Sequence, residues 1–90
     1  MKILLTNTFQ RATKKLRGSQ AVILKEVISK IVSNPTIGEA KVGDLVGVRV
    51  YKFHIMHQLI LLAYLYKEQV NEITLLAFSP HENFYKNLKS

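Results

Sequence analysis

The chain has 90 residues, with 13 Lys and Arg against six Asp and Glu, and a net charge of +7. A chain this short buries only about 60–65% of its unfolded surface, so one modest core is expected in a single domain over residues 1–90, with any site on its surface. The absence of cysteine excludes a disulfide framework and thiolate metal sites, and the longest apolar run, Leu59 to Tyr66, falls far short of the roughly 20 residues of a membrane span. The N-terminal MKILLTNTFQ is too short in apolar residues for a signal-peptide core. These features predict a soluble cytoplasmic protein with no membrane partner.

Met1 to Thr6 reads as a short strand. From about Thr8 the period changes to that of a helix, with Phe9, Ala12 and Leu16 on one stripe and Arg11, Lys14 and Lys15 on the other side. Gly18 is expected to stop this helix and Ser19 to cap the next. The second helix carries Val22, Ile23, Val27, Ile28, Ile31 and Val32 at core spacing and ends at Ser33-Asn34-Pro35, so the two helices form an antiparallel hairpin. TIGEAKVGDLVG is a loop by composition. The β-branched and aromatic residues that follow predict strands at about Val48–Ile55, Leu59–Tyr66 and Glu72–Phe78, joined by short connections and therefore antiparallel. On the first of these, Arg49, Tyr51, Phe53 and Ile55 point one way, while Val50, Lys52, His54 and Met56 point the other. LILLAYLY is apolar on both faces, as suits a central strand. Ser79, Pro80 and Glu82 fit a capping box that opens a last helix, with Phe84 and Leu88 as its buried stripe.

The basic balance favours a polyanionic partner, nucleic acid or an acidic protein segment. Five of the cations, Lys2, Arg11, Lys14, Lys15 and Arg17, fall within the first seventeen residues, where there is no acid. They are either a solvated helix face or a steering surface. The three histidines lack neighbouring carboxylates at ligand spacing, so no metal site and no cofactor are expected. His57, in a tight connection, reads most simply as a solvated turn residue.

The stretches GDLVGVRVYKF, QLILLAYLY and LLAFSPHENFYKNLK, following two helices, resemble the RelE/ParE superfamily of bacterial type II toxins. The resemblance spans nearly the whole chain. It implies an α+β fold in which an N-terminal helical hairpin packs on a small twisted antiparallel β-sheet with a short C-terminal helix. It also implies a toxin of a toxin–antitoxin system, in one of three forms: a ribosome-dependent, metal-independent mRNA endonuclease, a non-catalytic toxin that poisons DNA gyrase, or an antitoxin-binding module without retained activity. The partners implied are a cognate antitoxin with an acidic, partly disordered segment, the ribosome and mRNA, or alternatively gyrase.

Attack of a ribose 2′-OH on the adjacent phosphate needs a general base, an acid for the leaving 5′ oxygen, and cations around the phosphorane. By resemblance, Lys52 and His54 occupy the positions of basic residues on the first long strand, His81 that of a basic residue after the last strand, and Tyr85 stands near a late tyrosine. Arg11, Lys14, Lys15, Arg17, Arg49 and Lys86 are the expected nucleic-acid contacts. The sequence departs from RelE proper in two places. Leu61, expected opposite Lys52, stands where RelE has an arginine, and Glu82 lies near another such position. Other RelE-like nucleases lean on histidines, so the resemblance leaves a histidine-based variant of the chemistry open beside the non-catalytic forms.

Overall fold

A computed structural model describes residues 1–81. The chain runs β1 (Lys2–Leu5), α1 (Asn7–Lys14), α2 (Ser19–Ser33), β2 (Glu39–Ala40), β3 (Val48–Ile55), β4 (Gln58–Lys67) and β5 (Glu72–Pro80), with short 3-10 turns at Gly43–Leu45 and Glu68–Val70. The five strands form one sheet in the order β1-β5-β4-β3-β2. All neighbours are antiparallel except β1 and β5, which pair in parallel from Lys2 opposite Glu72 to Leu5 opposite Leu75. The sheet is therefore mixed, which corrects the antiparallel expectation. Within the expected loop, Glu39 and Ala40 pair with Val50 and Arg49 as the two-residue edge strand β2.

Thr6 begins α1 by accepting the Phe9 N–H at 3.1 Å, and its hydroxyl donates to the Leu76 carbonyl at 2.6 Å. One N-cap thus starts the helix and ties it to β5. The helix closes one turn before Gly18, with the Lys15 and Leu16 amides donating to Ala12 and Thr13 carbonyls. Gly18, not Ser19, caps α2, at φ +51 and without a side-chain cap. Each helix touches the sheet more than it touches the other, α1 over β5 and α2 over β3.

The core lies between the helices and one face of the sheet. Phe9, Leu24, Val27 and Ile31 from the helices meet Phe53, Ile55, Ile60, Leu62, Tyr64, Ile73 and Leu75 from the strands. Phe9 packs edge-on against Phe78 with ring centroids 5.1 Å apart. The buried stripe of α2 runs through Leu24, Val27 and Ile31, the spacing of one helical face, so Leu24 belongs to the core while Val22 is 55% exposed. A smaller buried cluster, Val50, Leu61 and Ala63, lies on the opposite face of the sheet.

The β3–β4 connection contains only Met56 and His57, between the paired residues Ile55 and Gln58, and both lie at positive φ, 50 and 69. Two consecutive left-handed residues are the signature of a type I′ hairpin, normally built from Asn-Gly. A side chain there costs about 1–2 kcal/mol per residue relative to the right-handed region.

Ser79 and Pro80 belong to β5, opposite Leu61 and Ile60. The helix expected here starts at His81, one residue later than a capping box with Pro80 at its first position would place it, and Ser79 and Pro80 close the strand instead. Proline is tolerated there because β1 pairs with β5 only as far as Leu75, so the end of β5 is a sheet edge with no donor needed on its outer side. Of the expected last helix, His81 is described and helical, while Glu82, Phe84, Tyr85, Lys86 and Leu88 lie outside the described residues.

Candidate functional site

The alternation of β3 settles which side chains share a face. Tyr51, Phe53 and Ile55 turn to the helices. Lys52 and His54 turn to the opposite, open face, where both are exposed. Lys52 sits opposite Leu61 on β4, and His54 opposite Leu59. On the other flank of β4, Ser79 faces Leu61, and Pro80 pairs with Ile60. His81, helical and just past the end of β5, lines a shallow pocket of about 170 Å³ with Gln58, Leu59 and Pro80.

Two rows therefore cross the open face at one end of the sheet. One runs Lys52, Leu61, Ser79. The other runs from His54 to its partner Leu59, and His81 meets Leu59 at the pocket beside it. Among the described residues no hydrogen bond or ion pair occupies the side chains of Lys52, His54 or His81. Leu61 is fully buried between Lys52 and Ser79 and brings no charge to its row.

Arg49 lies elsewhere. Its guanidinium donates to the Gly38 carbonyl at 2.8 Å and the Thr36 carbonyl at 3.3 Å. It braces the segment between α2 and β2 and does not share a face with Lys52 and His54. Tyr64 anchors the same segment, accepting the Gly38 N–H at 2.9 Å and donating to the Pro35 carbonyl at 2.7 Å. Burial pushes the Tyr64 phenol above its ordinary value, against the smaller opposing pull of the Gly38 N–H and Arg49. Sequence reasoning missed this anchor, because nothing local to LAYLY signals a contact 26 residues away.

Arg11, Lys14 and Lys15 come together on the rim of a larger groove of about 710 Å³ between α1 and the end of the sheet. Its walls are apolar, with Leu16, Ile55, Ile60, Phe78 and Pro80 among them. Arg17 is exposed just beyond α1 and does not line this groove. Gln58 lines both the groove and the pocket of His81. Among the described residues no three His, Asp or Glu stand together as a metal site, and no helix is long and apolar enough to cross a membrane.

The family described as ParE-like toxins of type II bacterial toxin–antitoxin systems matches residues 3–89. The chain belongs to this family. Solved structures agree with that placement. The RelBE2 toxin–antitoxin complex from Mycobacterium tuberculosis matches with a TM-score of 0.73 and 16% identity, over 89% of this chain and 96% of that one. The intact E. coli RelBE complex matches with a TM-score of 0.68 and 14% identity, over 87% and 93%. The isolated E. coli RelE toxin matches at the same score and identity over 98% and 95%. At these identities the likeness is one of fold, and this ParE-like toxin shares the α+β architecture of RelE. No curated protein matches the chain.

Proposed function

We propose that this ParE-like toxin is a ribosome-dependent mRNA endonuclease whose chemistry is carried by His54, His81 and Lys52. The observation that carries the reading is Leu59, which pairs with His54 across β3 and β4 and lines one pocket with His81, with Lys52 two residues along β3. A phosphate lying over Leu59 has the two imidazoles as its neighbours. One histidine takes the proton of the attacking 2′-OH as the new oxygen–phosphorus bond forms. The other gives a proton to the 5′ oxygen as its bond to phosphorus breaks, leaving a 2′,3′-cyclic phosphate and a free 5′-OH. Lys52 neutralises the charge that builds on the phosphorane. Tyr85, which by resemblance stands near a late tyrosine, and Lys86 are proposed contributors to RNA binding and lie outside the described residues.

The groove rimmed by Arg11, Lys14 and Lys15 has the character that an acidic amphipathic antitoxin segment requires, apolar walls below a cationic edge. The RelE relatives solved as complexes with antitoxins support an antitoxin as partner. Arg17, exposed beside this rim, adds to the steering field over the α1 end of the molecule.

One observation favours a second reading. Leu61 puts a buried apolar side chain where the resemblance places a cation, which suits a toxin that binds gyrase without cutting RNA. Cell-free translation with mapping of RNA ends separates the two. Cuts within translated codons support the endonuclease, whereas intact RNA with arrested DNA supercoiling by gyrase supports the alternative. Antitoxin binding with neither effect leaves a binding module.

A further inference from the structure

The Met56–His57 turn is built from the wrong residues for its own backbone. Asn-Gly would adopt two successive positive φ values with little strain. Histidine tolerates the left-handed region better than most side chains, but methionine does not. Packing does not explain the choice, because Met56 is 74% exposed and His57 is exposed too. The side-chain hydrogen bond Met56 makes among the described residues is a weak one, from the Gln20 amide to its sulfur at 3.4 Å. Strain kept at an exposed position, without a packing return, points to a role in contact with something else.

Position narrows what that something is. The turn is the tip of the β3–β4 hairpin. It begins two residues after His54 and ends at Gln58, which lines the pocket shared with Leu59, Pro80 and His81. A nucleotide whose phosphate lies over Leu59 would have a neighbouring base at this tip. A polarisable thioether, an imidazole and a carboxamide are the groups that grip a splayed base, by apolar contact, stacking and edge hydrogen bonds respectively.

We infer that the Met56–His57 turn, with Gln58 beside it, is the base-contacting element of the RNA site and sets which nucleotide adjoins the cut. This rests on the endonuclease reading above. The strained turn presents its side chains past the end of the sheet, which an Asn-Gly turn of the same shape would not do with comparable bulk.

The test is the double variant Met56→Asn, His57→Gly, which gives the hairpin its preferred residues. The melting midpoint should rise by roughly 4–8 °C. Cleavage on translating ribosomes should fall at least about tenfold, and the surviving cuts should spread over more sequences than those of the wild type. A higher midpoint with an unchanged rate and unchanged cut positions overturns the inference, as does a lower midpoint, which would show that the turn carried no strain to relieve. A wild-type protein that cuts no RNA defeats the endonuclease reading itself. The wild type is therefore measured first, and the two failures remain distinct.

Discussion

The two faces of the sheet use similar strands for opposite ends. On the helix-covered face, Phe53, Ile55, Leu62 and Tyr64 meet Phe9, Leu24 and Ile31, and the single polar group among them, the Tyr64 hydroxyl, both donates and accepts. On the open face, the same alternation of β3 presents Lys52 and His54 to solvent, beside a small apolar patch of Val50, Leu61 and Ala63. One residue step along a strand exchanges these environments, so stability and chemistry can be altered separately. A side chain whose polar atoms are already satisfied holds the fold, while one whose donors are free is available to a ligand.

The largest effect expected on the closed face is that of Phe9→Ala. Phe9 is fully buried and packs on Phe78. Its loss should cost about 3–5 kcal/mol, a large part of the stability of a small domain, and chemical denaturation should show it as a shifted midpoint. The corresponding change on the open face is Lys52→Ala. Cleavage should drop about 100-fold, as for the loss of one stabilising donor, with the denaturation midpoint held within about 0.5 kcal/mol. Equal losses of stability from the two variants would erase the contrast between the faces.

A smaller effect sharpens the closed side. A methyl group added at Gly38 would stand 2.7 Å from the Tyr64 hydroxyl and 2.8 Å from its ring. That ring is fully buried, so it cannot swing away, and Gly38→Ala should destabilise by about 1–3 kcal/mol in thermal unfolding. The smallest effect is in pH. The folded protein keeps Tyr64 protonated to higher pH than the unfolded chain, whose phenol titrates near the ordinary value of 10.0. Its contribution is therefore complete below that value and is lost as the pH rises from there through the raised folded value. Stability measured from neutral to strongly alkaline pH should decline less steeply in Tyr64→Phe than in the wild type.

What the sequence disclosed, and what it hid, follows the reach of each interaction. Period and turn chemistry are local, so β3, β4, most of β5 and the opposition of Lys52 to Leu61 were legible in VRVYKFHIMHQLILLAYLY. The parallel pairing of β1 with β5 was not, since those strands lie at opposite ends of the chain and no short motif encodes their contact. Val22 and Leu24 traded places because several apolar residues follow one another in AVIL, and only the packed sheet decides which stripe is buried. Ser79 and Pro80 carry chemistry that suits a helix start or a strand end. Their pairing with Leu61 and Ile60, a tertiary feature, keeps them in β5, and the helix starts one residue on, at His81. For the site, Lys52 and His54 on one face were readable from alternation, whereas placing His81 beside Leu59 needed the fold that brings the end of β5 against β4.

The central claim, that the open face carries RNA cleavage through a pair of histidines, is tested most directly by His54→Gln and His81→Gln, each assayed on mRNA engaged in translating ribosomes. Both side chains are exposed and make no hydrogen bond or ion pair with another described residue, so both variants should fold and melt like the wild type. Positioned proton transfer contributes on the order of 100-fold or more, and each variant should lose at least that much cleavage while still binding ribosomes. Two well-folded variants that cut as fast as the wild type would contradict the account.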